Sequence, residues 1–322
     1  MRFTRRQLGQ TSLALTASAA SPALGAATFD SRAPNADTYT LRIGDIRVTV
    51  ISDGQIGFPA WPTYAPDATE GEVTGAMRQH FLTPPDYRLD ANALLVETGG
   101  RRVLIDTGWG AFAPQVGQLA ERLQAIGVAP SSIDLVFISH IHPDHVGGLT
   151  EDGGAPTYPA AEIALAETEF EQWRGEADFG AMRIDESFRP LFAAAAEMVI
   201  GLGDRLRLVK DGDDIAPGLS TVSLPGHTRG HCGLQIESGA ETLLYVADAF
   251  HDQAFDLDHP GWATVFDSDP AGAEATRRGL LDRAAADRAM LMAYHMPFPG
   301  IGHVAASGGG FNWTPARWVV AP

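Results

Sequence analysis

The sequence predicts one α/β (α+β) domain of two packed β-sheets with helices on the outside. Three observations carry this. Short apolar runs of strand type come in two batches, one ending near residue 166 and one starting near residue 206, each with helical segments beside it. No Gly/Ser-rich linker and no repeat of fixed period separates the batches. The composition is that of an ordinary globular chain: 322 residues, 45% hydrophobic and 20% charged, with no apolar run long enough to cross a bilayer. Collagen-like, disordered and multi-spanning chains are excluded on that ground.

The elements follow in order. Ile46–Ser52, Ala93–Thr98 and Arg102–Asp106 read as strands. Gly57–Pro85, rich in proline and aromatics, reads as a long functional loop or lid. Gln115–Ile126 carries Val116, Leu119, Leu123 and Ile126 on one helical face. Leu135–Ser139 reads as a short buried strand and Ile163–Ala166 as another. Thr168–Trp173 and Ser187–Met198 read as helices. Leu206–Val209, Ser220–Leu224, Gly233–Glu237 and Thr242–Ala247 are strands of the second batch. Pro270–Ala286 is a helix with Asp269 as its N-cap. Its charged residues Glu274, Arg277, Arg278, Asp282 and Arg283 read as a solvated face. Met290–Tyr294 is a last strand before an aromatic, Gly-rich tail, Gly308–Trp318.

The N-terminus is set apart. Residues 1–27 have a basic head (Arg2, Arg5, Arg6), a weakly apolar middle and an Ala/Gly-rich end, the order of an export signal peptide. Its Thr-Arg-Arg-x-Leu segment resembles the twin-arginine type, which implies a periplasmic or secreted protein exported already folded. Residues 28–42 read as a linker and 43–322 as the domain. The signal is too short and too rich in Ser/Thr for a stable membrane anchor. The net charge is −17, and one lysine, Lys210, stands against 22 arginines. So acidic a chain is not expected to bind nucleic acid. One cysteine, Cys232, allows no intrachain disulfide and reads as a small buried residue.

The chemistry concentrates in the histidines. There are ten, three of them within Ile138-Ser139-His140-Ile141-His142-Pro143-Asp144-His145-Val146-Gly147-Gly148. This segment leaves an apolar strand. Residues two apart on an extended chain face one side, so His140 and His142 can meet one metal. Pro143 ends the extended run, and Asp144 and His145 can turn toward a second. Imidazole and carboxylate donors without thiolate suit Zn²⁺, with Mn²⁺, Fe²⁺ or Co²⁺ as alternatives. Three further donors sit at strand ends: His227 after Leu224, Asp248 after Ala247 and His295 after Ala293. His303 competes with His295, but His295 has the strand-end position. His231 reads as a loop-fixing group, His80 and His259 as surface residues.

The pattern H-x-H-x-D-H followed by His, Asp and His resembles the metallo-β-lactamase superfamily, over roughly Ile43 to the C-terminus. The resemblance implies an αββα sandwich with two divalent ions between the sheets. It implies His140, His142 and His227 on one ion, Asp144, His145 and His295 on the other, and Asp248 with a hydroxide bridging them. Val103-Leu104-Ile105-Asp106-Thr107-Gly108 matches the family's first motif, whose Asp orients a metal-bound histidine. The implied reaction is hydrolysis of a neutral ester-type bond by the bridging hydroxide, with Asp144 or Asp248 taking the proton. True β-lactamases of this fold usually lack the bridging Asp and often use a lysine. Nucleases and glyoxalase II-type thioesterases need basic surfaces or sites. Acyl-homoserine lactonases carry a Tyr three residues after the bridging Asp, where this chain has His251. The methyl parathion hydrolase-like branch is similar in Asp248-x-x-His251, in Phe266-Asp267-Ser268-Asp269, in the stretch Ala293–His303 and in Gly308-Gly309-Gly310-Phe311-x-Trp313. A phosphotriester, an aryl ester and a lactone all remain open as substrate. Such a substrate wants an apolar wall, for which Trp109, Phe112, Trp173, Phe179 and Phe188 are candidates. His251 is a candidate for touching substrate, and a homodimer is open on the family's habits.

Overall fold

The computed structural model describes residues 35–113, 115–152, 154–174 and 178–318. The expected signal peptide, and the linker as far as residue 34, lie outside them.

Fourteen strands form two seven-stranded sheets, each in plain chain order. The first sheet holds β1 (Thr38–Ile43), β2 (Ile46–Pro59), β3 (Asp86–Thr98), β4 (Arg101–Ile105), β5 (Leu135–Ile138), β6 (Glu162–Ala166) and β7 (Leu206–Val209). The second holds β8 (Asp214–Ala216), β9 (Leu219–Ser223), β10 (Cys232–Ser238), β11 (Glu241–Ala247), β12 (Met290–Ala293), β13 (Ile301–Ser307) and β14 (Gly310–Pro315). Strands β4 to β7 run parallel, and the inner two, β5 and β6, read as near-continuous apolar runs, as strands covered on both faces must. In the second sheet only β11 and β12 are parallel neighbours.

One apolar core joins the sheets, with Val48, Leu94 and Val136 of the first packed in the same cluster as Leu234, Leu243 and Tyr245 of the second. The described residues include seven α-helices: α1 (Ala60–Thr63), α2 (Glu70–Gln79), α3 (Leu119–Ala125), α4 (Pro143–Val146), α5 (Glu167–Trp173), α6 (Arg189–Ile200) and α7 (Pro270–Asp287). Helix α7 buries Leu280, Leu281 and Ala284 against Val246, Leu291 and Val304 of the second sheet. Its start is set by Asp269, whose side chain accepts from Gly272 N at 3.0 Å, and by Pro270 in the first turn.

The two-sheet α/β sandwich is as the sequence predicts. Several elements differ. The strand Thr38–Ile43 occupies part of the expected linker, because Tyr39, Leu41 and Ile43 bury one face while pairing with β2. The expected lid Gly57–Pro85 is the far end of a long β2–β3 hairpin carrying α1 and α2. Helix α2 begins with a capping box: Thr69 N donates to Glu72 and Glu72 N to Thr69 Oγ1, at 2.8 and 3.3 Å. It covers a separate apolar cluster including Tyr64, Met77, Tyr87 and Phe255. The aromatic tail is the β13–β14 hairpin. Arg277 of α7 is 1% exposed, so the helix face read as solvated is in part interior.

Candidate metal centre

The sheets end together at one edge of the sandwich, and the candidate ligands leave from their strand ends. Strand β5 stops at Ile138, and the chain passes Ser139, His140 and His142 into the short helix α4, which carries Asp144 and His145. Strand β11 delivers Asp248 and β12 delivers His295. The turn after β9 delivers His227. Gly147 and Gly148 let this loop lie against the first motif: a Cβ on either would come within 2.1 Å of a carbonyl oxygen, of Trp109 and Thr107 respectively.

The donor atoms converge. His140, His142 and His227 form one group whose ligand atoms all lie within 4.8 Å of one another, and Asp144, His145 and His295 form another. Asp248 stands between them, 3.2 Å from His145 Nε2, 3.0 Å from His295 Nε2, 3.4 Å from His227 Nε2 and 3.9 Å from His140 Nε2. His142 Nδ1 and His227 Nε2 face each other at 3.0 Å. All seven residues are at most 8% exposed.

Behind three of the five rings a partner holds the other nitrogen. His145 Nδ1 donates to Asp106 at 2.8 Å, His227 Nδ1 to Asp267 at 2.8 Å and His295 Nδ1 to the Asp90 carbonyl at 2.6 Å. Asp106 also accepts from Ser139 N and Oγ, each at 2.8 Å, and from the Tyr245 hydroxyl. The Nε2 atoms of His140 and His145 are then buried with no hydrogen-bond partner. Buried polar atoms are seldom left so, and a shared cation would satisfy them. Burial, reinforced by neighbouring imidazoles, pushes His140 and His142 well below the usual histidine range, toward the neutral form a ligand needs. Burial opposes the charge on Asp248, but His295 and His145 outweigh it and hold the carboxylate well below its usual range. The donor set is nitrogen and oxygen throughout and fits two divalent ions.

A family model described as the metallo-beta-lactamase superfamily matches residues 86–295. The chain belongs to the metallo-β-lactamase superfamily. It is 26% identical over 185 residues to a probable metallo-hydrolase of Mycobacterium bovis, matching 50% of this chain and 56% of that one. The chain therefore spans about half the length of that curated relative. Among solved structures it is similar to AidC, a dizinc quorum-quenching lactonase in complex with the product N-hexanoyl-L-homoserine (28% identity, TM-score 0.84, 88% of this chain and 98% of that). It is also similar to the hydrolase AbOPH of the beta-lactamase superfamily (26% identity, TM-score 0.80, 89% and 99%).

A pocket opens onto the cluster. His142, Asp144, His227, Asp248, His251 and His295 contribute its polar side, and Phe58, Leu89, Trp109, Phe188, Phe192 and Phe266 its apolar side. No lysine or arginine is among its lining residues. Of the expected aromatic wall only Trp109 and Phe188 face the pocket. Trp173 is fully buried behind it, edge-on to His142 with ring centroids 6.2 Å apart. Phe179 packs edge-on against Trp173 at 5.7 Å, and Phe112 lies against Gly147. Phe58 and Leu89 carry no motif and Phe266 was read only as part of the Phe266–Asp269 stretch; the long hairpin and the turn before α7 bring them there.

His231 lies beside the site. Its Nδ1 donates to the Leu224 carbonyl at 2.7 Å and its Nε2 accepts from Asp248 N at 3.1 Å. Burial, with His227 beside it, pushes it down to about 3. His303 is remote, donating to the Ala289 carbonyl at 3.0 Å. His80 is half-buried against Asp258 at 2.7 Å, and His259 stacks on Trp262 with centroids 3.9 Å apart. Cys232 is buried, and burial pushes its thiol up to about 12.

Glu169 escaped the sequence reading. Its carboxylate accepts from Ile141 N and Trp173 Nε1 at 2.8 Å, from Thr228 Oγ1 at 2.6 Å and from Gly230 N at 3.1 Å. It thus ties the His140–His142 loop to the turn carrying His227. One glutamate in a helical stretch gives no hint of such a role.

Proposed function

We propose that the chain is a two-metal hydrolase of neutral ester-type bonds, with N-acyl homoserine lactones the favoured substrates. The observation that carries this is the pocket: a His/Asp cluster suited to two ions beneath a wall of phenylalanine, leucine and tryptophan, with no lysine or arginine among its described lining residues. The likeness to AidC over nearly its whole length supports the lactone in particular. Asp248-x-x-His251 supports membership in the methyl parathion hydrolase-like branch.

His140, His142 and His227 would hold one ion, Asp144, His145 and His295 the other, with Asp248 shared and Zn²⁺ the leading candidate. When bound, such ions activate water as a nucleophile near neutral pH and polarise the scissile carbonyl. The chain supplies the rest. Asp144, 3.3 Å from His295 and on the pocket surface, can take the proton from the attacking water and pass it to the leaving oxygen. His251 presents Nε2 at 3.6 Å from Asp248 on the pocket side. Burial opposes its charge, while Asp256 and Asp248 favour the charged form, in which Nε2 carries a proton to donate as a hydrogen bond. It can direct that hydrogen bond at the substrate carbonyl. The apolar wall excludes water and orients the acyl portion.

The test is a panel of N-hexanoyl homoserine lactone, p-nitrophenyl acetate, paraoxon and a cephalosporin, run with metal-loaded enzyme. Turnover of the lactone is expected to lead, and His142→Ala should lower it by at least about 100-fold. Turnover confined to the cephalosporin, or undiminished in the variant, contradicts the reading.

A further inference from the structure

Behind the pocket, helix α7 sends one arginine into the interior. Arg277 is 1% exposed. Its Nε donates to the Ala249 carbonyl at 2.9 Å, and its Nη1 to the carbonyls of Pro260 and Trp262 at 3.0 and 2.7 Å. These carbonyls flank the segment that carries His251. Its Nη2 lies 3.3 Å from Asp256 Oδ1.

Asp256 is the residue behind His251. Its Oδ2 is 3.4 Å from His251 Nδ1 and accepts from the backbone N–H groups of His251 and Asp252 at 2.8 and 3.2 Å. The Arg277 Nη2 also comes within 4.0 Å of Asp267, but Asp267 is already held by His227 Nδ1 at 2.8 Å and Thr264 N at 2.9 Å. The chain of contacts that depends on the guanidinium therefore runs Arg277–Asp256–His251 and ends at the pocket. A buried charge is costly unless every edge is paired. Here the guanidinium hydrogen-bonds the carbonyls on either side of the His251 segment, and Asp256 hydrogen-bonds the His251 backbone, while Arg277 Nη2 and His251 Nδ1 meet the Asp256 carboxylate at ion-pair distance only.

We propose that Arg277 is a positioning residue of the hydrolytic site, fixing the His251 ring over the pocket floor through Asp256. This rests on the reading of the site as a hydrolase. Lysine is a poor substitute, because a compact ammonium cannot reach three carbonyls and a carboxylate at once as the planar guanidinium does.

The experiment is a double-mutant cycle on the metal-loaded enzyme with N-hexanoyl homoserine lactone. Arg277→Lys is expected to lower kcat by about 10–100-fold, with KM little changed and the metal content of the wild type kept. In a His251→Ala background the same change should add almost nothing, because the residue through which it acts is gone. Losses that multiply across the cycle, an unchanged kcat in Arg277→Lys, or a kcat that falls only in step with lost metal and lowered Tm would each overturn the proposal. A crystal structure of metal-loaded Arg277→Lys gives a second readout that needs no turnover. The His251 ring is expected to swing so that Nε2 leaves Asp248, and an unmoved ring overturns the proposal. Should the wild type hydrolyse nothing in the panel, the hydrolase reading fails, and the crystal structure alone still decides whether Arg277 positions the ring.

Discussion

A histidine serves a metal best when one ring nitrogen is held and the other is left facing the site. At His145, His227 and His295 the held nitrogen goes to Asp106, Asp267 and the Asp90 carbonyl, three acceptors from separate parts of the chain. Glu169 does the corresponding work for the backbone, joining the loops of His142 and His227 with four donors on one carboxylate. Glu169→Gln turns an amide NH₂ toward those donors. It should weaken metal binding on the His140–His142–His227 side by about 10–100-fold, read by competition with a chromophoric chelator. Affinity equal to the wild type would remove Glu169 from the account. Asp256 yields a pH prediction. Burial opposes its charge, but Arg277 and His251 outweigh it and hold the carboxyl down to about 2, against about 4 in an unfolded chain. The folded state is then the poorer proton binder. The stability Asp256 contributes is fully present above about pH 4 and is lost as pH falls through about 2. Denaturant titrations should find Asp256→Asn less stable than the wild type at pH 7, with the gap closing between pH 4 and 2. A gap that stays constant to pH 2 would contradict this.

At the scale of elements, what could be read in advance was what repeats locally. The cluster from His140 to His145, the strand-end positions of His227, Asp248 and His295, and the central buried strands all announce themselves through spacing and apolar runs. The first motif also drew attention to Asp106, which lies 2.8 Å from His145 Nδ1. Asp256, Arg277 and Glu169 did not announce themselves, because each is one charged residue in a segment of ordinary composition, and Asp267 was marked only as part of the Phe266–Asp269 stretch, not as the partner of a histidine. Their burial comes from contacts with residues 15 to 61 positions away, or more locally through Asp252 and Thr264. The long β2–β3 hairpin was hidden by its prolines and aromatics, which resemble loop punctuation until both strands pair. Helix α7 shows how a polar sequence can be a core element: only Ala273, Arg277, Leu280, Leu281 and Ala284 along it are buried. Leu281 is fully buried against the second sheet, so Leu281→Ala should cost about 2–5 kcal/mol in an equilibrium denaturant titration. A cost under about 1 kcal/mol would mean that α7 is not anchored by this face.

For the whole molecule the two sheets act as a scaffold whose strand ends bring donors from both halves of the chain to one edge. Asp248 at the junction is the clearest sign, since its carboxylate lies 3.0 to 3.9 Å from histidines delivered by both sheets. The central claim is that this junction holds two ions at once. The most direct measurement is the metal content of the purified chain by elemental analysis, after reconstitution with Zn²⁺ and removal of excess. About two ions per chain are expected for the wild type, falling to about one in His142→Ala, which loses a ligand on one side only. Less than one ion per chain in the wild type, or a variant that keeps two, would contradict a two-metal site.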